Sequence, residues 1–182
     1  ITIAAPAGDY ATLWHWSVEN PEVFWTAVTD FAGVIADRGA GPVLLDGRKM
    51  PGARWFPGWR LSFAENLLRH AGAEPAIIAT DESGRRRELS WVRLRAEVAR
   101  VADGLRAAGV VSGDRVAGFL PNVPEAVVAM LATSSIGAVW SSCSPDFGER
   151  GILDRFGQIE PRLLITCDAY YYAGKTIRMA DK

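Results

Sequence analysis

The sequence predicts an α/β fold in which parallel βαβ units follow a β-hairpin and an aromatic-rich segment of helix and loop. Three observations predict it. Residues 115–120 and 138–140 read as short apolar strands, and the stretch 126–136 between them is apolar almost all round, as a buried helix is. Residues 162–166 add a third apolar strand, after a further helical stripe at 148–159 that turns Ile152, Phe156 and Ile159 inward. Strands alternating with helices build a parallel sheet with right-handed crossovers, and such sheets bind ligands beyond the carboxyl ends of their strands. Residues 121–124 and 141–148 are therefore the expected ligand loops.

The elements divide at residue 75, into an aromatic-rich segment 1–75 and an α/β part 76–182. Five of the seven tryptophans, Trp14, Trp16, Trp25, Trp55 and Trp59, fall in the first segment. Asn20, Pro21 and Glu22 make a helix start, with Asn as cap and Glu beside the positive end of the dipole. Val23, Phe24, Ala27, Val28 and Phe31 recur at helical spacing until Gly33. Repeated Gly and Pro make 39–60 an ordered loop, and a second helix starts at Ser62. No basic stripe runs among the tryptophans, so they read as anchors for an irregular segment, not as a platform for bases or sugars. His15 and His70 have no carboxylate or cysteine at ligand spacing and read as packing residues.

In the second part, residues 76–80 and 87–89 flank the turn-rich Asp81, Glu82, Ser83 and Gly84, a β-hairpin. Arg85, Arg86 and Arg87 sit among Asp81, Glu82 and Glu88, which fits a charge-protected hairpin edge better than a nucleic-acid patch. Ser90 caps an amphipathic helix whose stripe is Trp91, Leu94, Val98, Val101 and Leu105, and Gly109 ends it. In the central unit Asn122 is the expected cap, Pro124 lies in the first helical turn, and Gly137 is the stop.

Composition bounds the function. The chain has 182 residues, 49% hydrophobic and 23% charged, with a net charge of −1. That balance offers no electrostatic case for nucleic acid or an anionic membrane. No apolar run approaches the ~20 residues of a membrane-spanning helix, and the opening residues 1–6 lack the basic and apolar regions of a signal peptide. Cys143 and Cys167 form no metal or redox spacing, as in a reduced cytoplasmic protein.

Residues 169–176 read Ala-Tyr-Tyr-Tyr-Ala-Gly-Lys-Thr, close in letters to a phosphate loop and placed after a strand. A phosphate loop wraps backbone amides around the anion and feeds a helix. Three consecutive tyrosines make a poor cradle, and Ala169 lacks the glycine freedom that the tight turn needs. The match is read as fortuitous.

The run PNVPEAVVAMLATSSIGAV followed by SSCSPDFG resembles the N-terminal part of the adenylate-forming acyl-CoA synthetases, and among them the members that activate acetoacetate. WHWSVENPEVFW, MPGARWF, FAENLL and DRFGQIEP, in this order, extend the likeness over nearly the whole chain. The resemblance implies an acid–thiol ligase that joins acetoacetate to coenzyme A (CoA) through an acyl-adenylate, with ATP and Mg²⁺. It also implies that the rest of the polypeptide carries the catalytic parts. The family's Thr/Ser/Gly-rich loop ending in Lys, its acidic ribose residue and its adenylation lysine have no counterpart in these residues, so no catalytic or metal-binding residue is assigned. By position in the family, Ser144, Pro145 and Asp146, and then Tyr172, Ala173, Gly174 and Lys175, approach the nucleotide end of CoA. Tyr172 stands where an arginine is expected, and a glycine-rich loop of related enzymes is replaced by Cys143 to Gly148. An exposed loop lysine at 175 and a helix-capping Asp146 are the plain alternatives. A non-catalytic α/β domain for assembly or small-ligand binding is the competing reading of the whole.

Overall fold

The computed structural model describes residues 8–179, so the reading of residues 1–6 falls outside it. By contacts the chain forms two compact units, Ile1–Leu61 and Ser62–Lys182. The first opens with helices α1 (Tyr10–Glu19) and α2 (Pro21–Phe31). Asp9 starts α1 by accepting from the Thr12 amide at 2.9 Å. Asn20 does not cap α2 as expected. Its side-chain amide donates back to the Trp16 carbonyl at 3.2 Å and closes α1 instead.

Four two-residue strands follow, β1 (Asp37–Arg38), β2 (Leu44–Leu45), β3 (Arg54–Trp55) and β4 (Trp59–Arg60). They pair antiparallel, β1 with β4 and β2 with β3, inside the region expected to be loop. Rings join these pieces. Trp16, Phe24, Trp25, Trp55, Phe56 and Trp59 form a chain of successive edge-on or tilted contacts, with centroids 4.4 to 6.4 Å apart.

The second unit begins with the short helix α3 (Phe63–Leu67), where the Ser62 hydroxyl accepts from the Glu65 amide. Strands β5 (Pro75–Thr80) and β6 (Arg86–Ser90) form the expected antiparallel hairpin. Helix α4 (Trp91–Ala107) starts on the Ser90 cap and ends before Gly109, whose φ of +80° suits glycine. Then come β7 (Arg115–Phe119), α5 (Pro124–Ser135), β8 (Val139–Cys143), α6 (Glu149–Ile159) and β9 (Leu163–Thr166). The three strands make a parallel sheet in the order β8-β7-β9. The compositional boundary at residue 75 lies inside this unit, because α3 packs on α5 and buries Ala64 in the common core.

Strand β7 is the centre of the sheet, and its alternation sorts the core into two layers. Val116 faces a cluster with Leu94, Val98 and Leu105 of α4 and Val128, Leu131 and Ala132 of α5. Ala117 and Phe119 belong to a second cluster with Phe156 of α6. A hairpin of β10 (Ala169–Tyr172) and β11 (Lys175–Arg178) contributes Tyr170 to that cluster. Gly118 is needed for Trp140, since a Cβ there would collide with the indole. Arg115 donates to the Ile159 and Glu160 carbonyls at 2.7 and 3.1 Å, satisfying the end of α6.

Candidate functional site: a cleft at the carboxyl end of the parallel sheet

Beyond the carboxyl ends of β7 and β8 lies a cleft of about 490 Å³. Four segments form its walls: the tip of the β5–β6 hairpin, residues 121–124 after β7, residues 144–146 after β8, and strand β10. This is the place where parallel sheets bind ligands.

The loop after β7 departs from expectation in one detail. Val123, not Asn122, is the residue before α5, and no side chain caps that helix. Pro124 lies in the first turn as expected, and Glu125 adds an acid there. Asn122 is left as an exposed residue of the cleft wall.

The loop after β8 is held by its own hydrogen bonds. The Ser144 hydroxyl donates to Asp146 Oδ2 at 2.7 Å and accepts from the Asp146 amide at 3.3 Å. Pro145 is fully buried, and its carbonyl accepts from the Tyr170 hydroxyl at 3.2 Å. Asp146 is therefore tied to Ser144 and does not cap α6, which begins after Gly148 without a side-chain cap. Tyr170 is the residue that joins the β10–β11 hairpin to this loop, and no sequence motif marks it. Within β10 Tyr170 is buried while Tyr171 and Tyr172 both stay about half exposed, so strand alternation does not single it out.

The phosphate-loop look-alike is that same hairpin. Ala169 pairs with Arg178 and Tyr172 with Lys175, so these strands engage the backbone in a ladder instead of a cradle. Its turn holds Ala173 and Gly174 at φ of 49° and 75°, the left-handed pair of a tight hairpin turn. Of the residues expected near a nucleotide, Ser144, Pro145, Asp146 and Tyr172 line the cleft. Ala173, Gly174 and Lys175 belong to the hairpin turn and the start of β11, and the cleft walls do not include them.

The cleft carries charge of both signs. Asp81 is held below its ordinary range chiefly by the Ser83 hydroxyl, with help from the Arg85 amide and guanidinium. Arg87 donates through both terminal nitrogens to Glu125, which lowers the Glu125 carboxyl and raises the guanidinium. Burial pushes the Cys143 thiol up, despite Arg155, and the Cys167 thiol likewise. Neither is poised as a nucleophile. Among the described residues no group of three or more His, Cys, Asp or Glu could hold a metal, and no helix is long and apolar enough to cross a membrane.

Comparison with known proteins supplies what the cleft alone does not. Residues 63–181 match the model of the AMP-binding enzyme family, and residues 10–67 match that of the acetyl-coenzyme A synthetase N-terminus. Acetoacetyl-coenzyme A synthetase of Rhizobium meliloti is 53% identical over 92% of this chain and 26% of its own length. Malonamoyl-CoA synthetase of Penicillium aethiopicum is 43% identical over 91% of this chain and 24% of its own. The solved acetoacetyl-CoA synthetase from Streptomyces lividans superposes with a TM-score of 0.93 at 51% identity, over 97% of this chain and 28% of that one. The chain thus spans about a quarter of the length of the relatives it matches. The sheet, the two loops at its carboxyl end and the flanking hairpins are those of an adenylate-forming enzyme's N-terminal region, and the chain belongs to the AMP-binding enzyme family.

Proposed function

We propose that this chain is the N-terminal part of an AMP-forming acid–thiol ligase that makes acetoacetyl-CoA from acetoacetate, ATP and CoA. The observation that supports it most is the backbone and sequence agreement with the Streptomyces enzyme over nearly all of the chain. The chemistry explains why such an enzyme needs ATP. A carboxylate is a poor electrophile; its oxygen attacks the α-phosphorus of ATP, pyrophosphate leaves, and the resulting acyl-adenylate has AMP as its leaving group. The CoA thiol then attacks the acyl carbon, and AMP departs with the carboxylate oxygen.

In this reading the present residues serve binding. Ser144, Pro145, Asp146 and Tyr172 form walls of a cleft for the nucleotide end of CoA, with the Tyr170–Pro145 bond keeping the loop in place. Ala173, Gly174 and Lys175 stand one turn further along the same hairpin, where Lys175 would meet a phosphate outside the cleft. Mg²⁺ would offset the charge of the ATP phosphates. The acids here do not fit it, since Asp81 and Asp146 are already bonded within their own turns, and no step is assigned to a metal. The two free thiols suit a reducing, cytoplasmic setting.

A second substrate is favoured by the malonamoyl-CoA relative. Malonamate and acetoacetate share a skeleton and differ in a terminal amide NH₂ against CH₃. A pocket built to bond the NH₂ rejects the methyl analogue strongly, whereas an apolar pocket discriminates weakly. The test is substrate-dependent ATP–pyrophosphate exchange and AMP release by the full-length protein with acetoacetate, malonamate and acetate. Acetoacetate should give the highest kcat/KM. A preference for malonamate would transfer the assignment, and no exchange with any of the three would favour a non-catalytic α/β domain.

A further inference from the structure

The two arginines of the cleft are in different states. Arg87 is closed on Glu125. Arg85 is held only at its root: its amide donates to Asp81 Oδ1 at 3.1 Å and its Nε to Asp81 Oδ2 at 3.2 Å. Asp81 is itself fixed by the Ser83 amide at 3.0 Å and the Ser83 hydroxyl at 2.6 Å. Among the described residues nothing accepts from the two terminal nitrogens of Arg85. The guanidinium is thus oriented while its fork stays open, the arrangement that bonds a phosphate through two parallel N–H groups.

The same cleft presents the rings of Tyr171 and Tyr172, which are 47% and 50% exposed. Their faces can take a planar heterocycle. Net charge does not draw an anion in, because Asp81, Glu82 and Asp146 outnumber the two arginines. Recognition has to be local, by one fork and one aromatic face. That combination fits an adenosine phosphate and argues against a polyanion bound through a broad positive field.

We propose that Arg85, at the tip of the β5–β6 hairpin, is a phosphate-binding residue of this cleft, taking the phosphate of an adenosine phosphate whose base lies on Tyr171 or Tyr172. The inference rests on the ligase reading, in which CoA and ATP both carry this chemistry. The experiment is calorimetric binding of adenosine 3′,5′-bisphosphate, AMP and adenosine to the full-length protein, its Arg85→Ala variant and its Arg85→Lys variant. For one of the two phosphates the Kd should rise at least about tenfold in Arg85→Ala, with Arg85→Lys in between, as expected when a charged hydrogen-bonded contact is lost. A loss confined to the 3′,5′-bisphosphate places CoA in the cleft, and one confined to AMP places ATP there. Adenosine binding should be the same in all three proteins. No phosphate binding by the parent protein, unchanged Kd values in Arg85→Ala, or an equal loss for adenosine would overturn the proposal. Because binding is read without turnover, failure here is separable from failure of the ligase reading, which shows as absent acetoacetate-dependent exchange in the parent protein.

Discussion

The β7–α5–β8 unit and the aromatic unit before residue 62 are ordered by different means. In the first, β7 and α5, with α4 packed on them, bury Val116, Leu131 and Ala132 almost completely. Burial of apolar area is roughly additive and non-directional, so such a unit tolerates no charge at its centre. In the second, neither α1 nor α2 has a single buried residue, and the strands are two residues long. What joins its pieces is a row of ring contacts, each worth about 0.5–1.5 kcal/mol beyond its area. A core of the first kind is a rigid scaffold for loops, whereas a row of rings can lose one member and keep the rest.

The sharpest way to break the contrast is a matched pair of substitutions. Leu131→Asp places an unpaired charge in the α4–α5 layer, at a cost of several kcal/mol against the ~5–15 kcal/mol that holds a domain. Circular dichroism should show the cooperative melt of the second unit abolished. Val18→Asp, on the 61% exposed face of α1, should stay within about 0.5 kcal/mol of the parent. Equal effects would erase the distinction.

Next in size is Gly118→Ala. Its methyl would meet the Trp140 indole, so the melting midpoint should fall by the equivalent of about 1–3 kcal/mol. Adding Trp140→Leu should recover part of the loss, a non-additivity that a purely conformational glycine effect would not produce.

Smaller still is Tyr170→Phe. Removing the hydroxyl leaves the buried Pro145 carbonyl without that donor, for about 1 kcal/mol, and amide exchange of residues 144–146 should quicken. Unchanged exchange there would show that the hairpin does not steady the loop.

The smallest effect concerns Glu125, whose carboxyl Arg87 holds below its ordinary 4.5. A depressed folded-state value adds stability above the unfolded-state value and loses it as pH falls through the folded one. The Arg87→Gln difference in melting midpoint should therefore be constant near neutrality and shrink below pH 4.5. Both side chains are about half exposed, so the difference stays well under ~1 kcal/mol. A difference independent of pH would point to lost packing instead.

Most of the second unit is legible in sequence because its signals are periodic. The stripes of α4 and α6, the apolar run of α5 and the three short strands each reflect which face is buried. Helix α1 is not legible, since Tyr10, Leu13, Trp14 and Val18 make an exposed stripe that no other described residue of the unit buries. Caps are hard to read where a side chain has more than one possible partner: Asn20 reaches back to Trp16, and Asn122 stands one residue before the true cap position of α5. The cleft was half legible. Chain order identifies the loops after β7 and β8, but the β5–β6 tip joins them only through folding. Arg85 and Asp81 read in sequence as a solvated hairpin edge; the structure leaves Arg85 exposed there and adds that this edge forms one wall of the cleft.

Amide exchange of the full-length protein with CoA and, separately, with ATP tests the central claim that this cleft holds the nucleotide end of CoA. The account predicts slowed exchange at residues 81–87, 144–146 and 170–172 with CoA, and none at these positions with ATP alone. Protection of the same residues by ATP, or CoA protection that leaves residues 144–146 and 170–172 unchanged, would contradict it.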